Sequence, residues 1–340
     1  MVKRTKVGIA GMGFMARVHS RALLKLPNAQ IAAAWSKFPE EHARFREFAE
    51  KLGFRVPRCY TDLERFLGDS DVEAVICAIP WRFIYPIARR IIEHGKPALL
   101  ECPPGSTPSE IRRLDRLARA RGVPVMPGHC YRFAPCFRKA KEILAQKGAP
   151  FFFSFRELVP AASLARQWSP TSWIWDPRHG GPIPTMTVFA MDLARWLAES
   201  EARSLYASLF WHKLRDLNIL GYAVTSLIRF RNGSTWSSEF TNLVTDAHGA
   251  VMNLDIAGDG YVLRVGGPER VELHTSSSRQ WQFKLERPER WGHLGQDRHF
   301  ISDVVQRGQT PAVSMRDAER AFRLSLAILQ SASENRPVSP

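Results

Sequence analysis

Cysteine is scarce: the 340 residues contain five (Cys59, Cys77, Cys102, Cys130 and Cys136), an odd number without any Cys-x-x-Cys pair. That spacing argues against both a disulfide framework and a zinc ribbon, and no metal site is expected. Long hydrophobic runs are absent too. None approaches the roughly 20 residues a membrane span needs, so a membrane is not an expected partner. The opening Met1-Val2-Lys3-Arg4-Thr5-Lys6 leads straight into a Gly-rich turn with no apolar stretch of a secretory signal, which points to a cytoplasmic location. Repeats, low-complexity tracts and Pro/Ser-rich linkers are also missing. Acidic residues are few in the first half, where residues 1–150 hold 27 basic and 14 acidic side chains against 21 and 19 in the remainder. The formal charge is +15, and lysine supplies only 11 of the 48 cations. No helix-turn-helix, finger or single-strand stacking motif accompanies this charge, so nucleic acid is not expected as a partner. Arg112, Arg113, Arg116, Arg119 and Arg121 read as the solvated face of a helix whose Leu114, Leu117 and Ala118 point inward. The surplus also suits a phosphate-bearing ligand on the first domain.

What is present is an ordinary globular composition, 45% apolar and 24% charged, at a length that suggests about two domains. The first half alternates short apolar strands with amphipathic helices, the pattern of a parallel sheet wrapped by crossovers. Strands are expected at Val7–Ala10, Gln30–Trp35, Arg58–Tyr60, Ala74–Ala78, Ala98–Glu101 and Val123–Met126. Helices are expected at Met15–Leu26, Glu40–Leu52, Ile84–His94 and Ser109–Arg121, the last opened by Thr107-Pro108. The second half carries longer strands, at Phe151–Leu158, Leu205–Leu214, Ala223–Arg231, Ser234–Asn242, Val251–Ala257, Gly260–Val265 and Arg270–His274. The turns Asn232-Gly233 and Gly258-Asp259-Gly260 favour antiparallel pairing. Helices are expected at about Val188–Glu199 and at 314–333. The fold class is therefore α/β, a doubly wound parallel sheet over residues 1–124, followed over 125–340 by an α+β domain with a large, mostly antiparallel open sheet. The last helix is placed back on the first domain.

The sharpest motif is Gly8-Ile9-Ala10-Gly11-Met12-Gly13-Phe14-Met15-Ala16, which matches G-x-G-x-x-G/A with Ala16 in third place. Gly11 permits the turn, Gly13 lets backbone approach a pyrophosphate, and the helix opened by Phe14 and Met15 offers its N-terminal amides to an anion. A strand precedes the motif and a helix follows it, as dinucleotide binding requires. At the end of the second strand an acid would read an unphosphorylated ribose; the chain has Trp35-Ser36-Lys37 instead. A hydroxyl and an ammonium suit a 2′-phosphate, so NADP(H) is favoured over NAD(H).

With these pieces in place the chain resembles the Gfo/Idh/MocA oxidoreductases. The likeness rests on Gly11-x-Gly13-x-x-Ala16-x-x-His19, Pro80 with Gly95-Lys96, Glu101-x-Pro103, Tyr131-Arg132-Phe133-x-Pro135, Trp173-x-x-Asp176-Pro177 with Gly180-Gly181, and the Ser331-to-Pro337 tail. The resemblance implies cofactor contacts from Gly11, Gly13, Phe14, Met15, Ser36, Lys37, Ile79, Pro80, Glu101, Cys102 and Arg132. It also implies a small-molecule substrate and a homodimer or homotetramer through the second domain's sheet. The family's usual catalytic groups are replaced: Cys102 stands for the Lys of Glu-Lys-Pro, Thr185 for an Asp, and Phe189 for the His acid/base. Ile84 takes the place of a further His. A phenylalanine cannot accept the proton of an alcohol. The candidates left to handle a proton are Tyr131, Cys102 and Thr185, with Arg178 and His179 nearby in sequence. Trp168, Trp173 and Trp175 offer aromatic area to a substrate cleft. The expected function is reduction of a small carbonyl or imine with a nonstandard proton donor. Two alternatives stay open: an inactive nucleotide-binding sensor or assembly protein, and a non-redox enzyme holding its nicotinamide tightly.

Overall fold

The computed structural model of the chain describes residues 3–54, 58–169, 171–176, 181–267, 270–275, 280–284 and 291–340. The chain divides into two compact units, Met1–Cys130 with His293–Arg320, and Tyr131–Gly292 with Ala321–Pro340.

The first unit is built on a six-stranded parallel sheet: β1 (Thr5–Ala10), β2 (Ala29–Trp35), β3 (Arg58–Tyr60), β4 (Ala74–Cys77), β5 (Ala98–Leu100) and β6 (Val125–Pro127). Their spatial order is β3-β2-β1-β4-β5-β6. Every residue of β4 and β5 is buried, as expected of strands covered on both faces. The helices are α1 (Phe14–Leu23), α2 (Pro39–Lys51), α3 (Leu63–Leu67), α4 (Trp81–Glu93) and α5 (Pro108–Arg121). Local chemistry sets the ends of α5. The Thr107 hydroxyl caps Glu110 N–H at 3.2 Å, the Glu110 carboxylate reaches back to Ser106 N–H at 2.6 Å, and Gly122 closes the helix at φ +64°. The division falls after Cys130 rather than after residue 124, because Met126 of β6 pairs with Leu99 of β5 and so completes the first sheet.

The second unit carries α6 (Pro135–Lys147), β7 (Phe152–Leu158), α7 (Ala161–Gln167), α8 (Ile183–Ala198), β8 (Ala202–Leu214), β9 (Ile219–Phe230), β10 (Thr235–Thr241), β11 (Val251–Gly258), β12 (Tyr261–Gly266), β13 (Arg270–Thr275) and β14 (Gln280–Lys284). The eight strands run in the order β14-β13-β12-β11-β7-β10-β9-β8. Both expected hairpins form: the Asn232-Gly233 turn joins antiparallel β9 and β10, and the Gly258–Gly260 turn joins antiparallel β11 and β12. β7 pairs in parallel with β10, which the turn signals did not foretell. Alternation along the central strands buries Phe153, Phe155, Trp236 and Phe240 on one face, with Trp236 stacked 5.5 Å from Phe155. Helix α8 begins earlier than its expected start at Val188, because Pro182 and Pro184 fall at its N-cap and first turn, where no N–H is required.

Helix α9 (His293–Arg298) belongs to the first unit and packs on α1, followed by a π-helical turn over His299–Val305. The final helix α10 (Met315–Glu334) belongs to the first unit up to Arg320 and to the second from Ala321.

Candidate functional site

In the first unit the chain leaves β1 and turns at Gly11, whose φ is +101°. A Cβ there would lie 2.4 Å from the Ala78 carbonyl oxygen and 2.8 Å from Ile79 Cγ2, so only glycine lets β1 and the exit of β4 approach this closely. Gly13 differs: a Cβ added to it would meet nothing within 4 Å. It is the N-cap of α1, with extended backbone and no side-chain cap, and the first turn holds no acid. Space is therefore open beside Gly13 at the positive end of a helix. This is the cradle a diphosphate needs. Pro80 caps α4 beside Ile79.

At the end of β2, Ser36 is buried; its hydroxyl donates to Glu41 Oε2 at 2.5 Å and accepts from Phe38 N–H at 3.2 Å. Lys37 is exposed, its ammonium 4.8 Å from the Phe38 ring centroid and 5.9 Å from that of Phe83. Of the two residues singled out for a 2′-phosphate, then, only Lys37 presents its polar group outward.

Glu101 is the first residue beyond β5, and the Cys102–Pro103 peptide after it is cis. Cys102 is buried and carries no disulfide. The Glu101 carboxylate holds a group whose partners its sequence motif does not announce. His19, fully buried on α1, places Nε2 2.7 Å from Glu101 Oε1 and Nδ1 2.9 Å from both carboxylate oxygens of Asp297 on α9. Burial alone would lower the His19 pKa, but the Asp297 and Glu101 carboxylates outweigh it and raise it to about 10. Glu101 is lowered; burial opposes that shift, and the His19 hydrogen bond and charge overcome it. His293 on α9 meets the His19 ring edge-on at 5.9 Å and is lowered to about 4, first by burial and then by the His19 charge. The buried Cys77 thiol is pushed up to about 12 by burial and by Glu101. Next to Asp297, Gln296 is fully buried with neither amide atom partnered among the described residues.

In the second unit Tyr131 donates its hydroxyl to Glu157 Oε1 at 2.9 Å, and both residues are buried. The Tyr131 ring stacks on Trp291 at 5.7 Å and packs against Phe137 and Phe189. Burial, and then the Glu157 charge, raise the pKa of the nearby Tyr222. Arg132, called as a cofactor contact, makes a two-pronged pair with buried Asp192 of α8 at 2.7 and 2.6 Å. Thr185 lies one turn before Phe189 on α8, its Oγ1 enclosed and without a partner among the described residues. Trp175 sits inside a small core with Ile174, Leu164 and Ile219, and Trp168 and Trp173 pack on its edge. Their area goes to packing rather than to an open wall. Pro177, Arg178, His179 and Gly180 lie outside the described residues.

Glu157 was missed, though it had a signal. Phe153, Phe155 and Glu157 share one parity of a strand, so the acid falls on the inward face. Asp297 had none, standing 278 residues from its partner.

Residues 5–129 match the model of an oxidoreductase family with an NAD-binding Rossmann fold, GFO_IDH_MocA. A Synechocystis protein, the uncharacterized oxidoreductase sll0816, is 29% identical over 60% of this chain and 53% of its own length. Inositol 2-dehydrogenase 1 of Saccharopolyspora erythraea is 24% identical over 98% of this chain and 95% of its own. The chain spans about half the length of the first curated relatives it matches, 50% and 53%. The scyllo-inositol dehydrogenase of Lactobacillus casei, solved with NAD(H) and scyllo-inositol, superimposes with a TM-score of 0.81 at 20% identity, covering 99% of both chains. That likeness establishes the fold.

The histidine cluster makes stability depend on pH in two opposed ways. Because the folded His19 value of about 10 exceeds the ordinary 6.5, its contribution is complete below 6.5 and is lost as pH rises through 10. His293, depressed to about 4, contributes above 6.5 and loses that contribution as pH falls through 4. Denaturant midpoints of the protein without nucleotide should decline on both flanks. His19→Gln should lower stability at neutral pH by about 3–5 kcal/mol, since two buried carboxylates lose their cation, and should abolish the alkaline decline. A His19 ring proton resonance titrating near 6.5 would contradict this.

Proposed function

We propose that this chain, which belongs to the Gfo/Idh/MocA oxidoreductase family through residues 5–129, is an NADP(H)-dependent reductase of a small carbonyl or imine compound, with Tyr131 as proton donor. The observation that carries the cofactor part is the uncapped start of α1 beside Gly13, where backbone amides and the helix dipole suit a diphosphate. The nicotinamide supplies hydride when bound. The preference for a 2′-phosphate rests on Lys37, because the Ser36 hydroxyl is engaged by Glu41, whose own charge works against the phosphate.

Reduction also needs a proton at the substrate oxygen or nitrogen. Cys102 and Thr185 are weaker candidates: no side chain is shown to support a Cys102 thiolate, and the hydroxyl of Thr185 has no useful acidity near neutrality. Tyr131 hydrogen-bonds to a carboxylate, and the proton moves in two steps. Tyr131 turns its hydroxyl from the Glu157 carboxylate to the substrate heteroatom and gives up the proton, and the phenolate regains one from water. The oxidative direction runs the same transfers backwards. Arg132 and Asp192 hold the turn carrying Tyr131 against α8.

The homo-oligomer would form through the second unit's sheet. Tyr206 and Phe210 of β8 share a face, Tyr206 lies opposite Leu227 of β9, and all three are exposed. Phe210→Glu should convert a dimer or tetramer to monomers in sedimentation velocity; an unchanged sedimentation coefficient would remove this face from assembly.

For the reaction itself, NADPH fluorescence should report binding tighter than that of NADH, a difference erased by Lys37→Ala. A carbonyl and cyclic-imine panel should contain a compound that consumes NADPH. Tyr131→Phe and Glu157→Gln should each lower that turnover by about 10²–10⁴-fold while leaving NADPH affinity intact. Full activity in Tyr131→Phe would exclude it as the donor. Nucleotide binding without turnover on any compound would favour the noncatalytic reading.

A further inference from the structure

In a doubly wound sheet of order β3-β2-β1-β4-β5-β6 the strand order reverses between β1 and β4, and a dinucleotide lies across the carboxyl ends of the strands there. The ribose-reading position at the end of β2 marks the adenosine half, so β4–β6 form the nicotinamide half. Glu101 is the first residue past β5 on that half. It is joined through His19 to Asp297, so the three side chains form one hydrogen-bonded unit with two carboxylates and one imidazolium. The neighbouring His293 and Cys77 add no charge at neutral pH. The unit thus carries one surplus negative charge, and its members are buried, where salt screens poorly.

Such a charge has a consequence for a nicotinamide that a mere structural tie does not. The oxidised ring is a cation and the reduced ring is neutral, so a fixed anion stabilises one form and leaves the other nearly untouched. We propose that Asp297, acting through His19 and Glu101, is a positioning residue that biases this unit toward the oxidised nicotinamide dinucleotide. The bias rests on dinucleotide binding and deepens the reductase reading. A site that favours the oxidised form makes the bound reduced form a stronger hydride donor, because the positive charge that develops as hydride leaves is already compensated. Asp297 touches neither substrate nor cofactor in this assignment. Its influence is electrostatic, and the geometry it fixes is that of His19.

Asp297→Asn tests this, because the amide oxygen can still accept from His19 Nδ1–H while the charge is removed. Calorimetric titration of the full chain with NADP⁺, NADPH, NAD⁺ and NADH gives the affinity ratio of oxidised to reduced forms, and no substrate is required. The expected result is a ratio lowered about tenfold, the order that follows from one unit charge acting across roughly 10 Å at an effective dielectric near 20. Reduced-form affinity should stay within about twofold, and Asp297→Glu should restore the ratio. Glu101→Gln removes the same charge and carries the test if Asp297→Asn fails to fold. Equal weakening of both forms, or an unchanged ratio, would overturn the proposal and leave the cluster a structural tie. Failure of the wild-type chain to bind any of the four nucleotides would instead overturn the dinucleotide reading on which this one stands.

Discussion

A buried imidazolium between two carboxylates is the constraint on which the first unit's chemistry depends. His19 belongs to the helix whose N-terminus opens beside Gly13, Glu101 stands at the exit of β5, and Asp297 comes from a helix near the end of the chain. One side chain therefore ties α1, the exit of β5 and the returning segment to each other. Three ionised groups in a dry interior are costly unless every one is matched. Here each carboxylate has a ring N–H to accept, and the neighbouring His293 is kept neutral first by its burial and then by the His19 charge. The arrangement is thus restricted to one protonation state across the neutral range.

The second unit solves a different problem with similar means. Its interior would reject lone ions, yet it contains Glu157, Asp192 and Arg195. Glu157 accepts from Tyr131, Asp192 is gripped by Arg132, and Arg195 reaches Glu201 at 2.9 and 2.8 Å. Phe189 packs on the ring of Tyr131. An apolar contact at that place leaves the phenol–carboxylate pair as the polar feature next to it. The proton chemistry proposed for Tyr131 rests on that pair.

How much of this could be read before any fold was known depends on the range of the interaction. Gly11, Gly13 and Ala16 act on their own turn and helix, and Thr107-Pro108 and Asn232-Gly233 likewise determine structure within a few residues. Local steric and hydrogen-bonding rules are enough for such features, and the parallel sheet, the hairpins and the glycine turn at Gly11 were legible. Ser36 and Lys37 were located correctly at the end of β2, but the hydrogen bond from Ser36 to Glu41 changes which of them can meet a phosphate. The three tryptophans looked like cleft wall because composition does not reveal which way a ring turns; around Trp175 they close a small core. His19 with Asp297, Arg132 with Asp192 and Tyr131 with Glu157 are joined only by tertiary packing. No spacing in the chain announces such pairs.

The account stands or falls on the amides at the start of α1 receiving a diphosphate. The most direct measurement is calorimetry of the full chain with the pyridine dinucleotides, repeated on Gly13→Asp, whose new side chain would enter the open space beside those amides. The account predicts saturable binding at one site per chain that the added carboxylate abolishes while the fold persists by circular dichroism. Binding of equal strength in both proteins would contradict it.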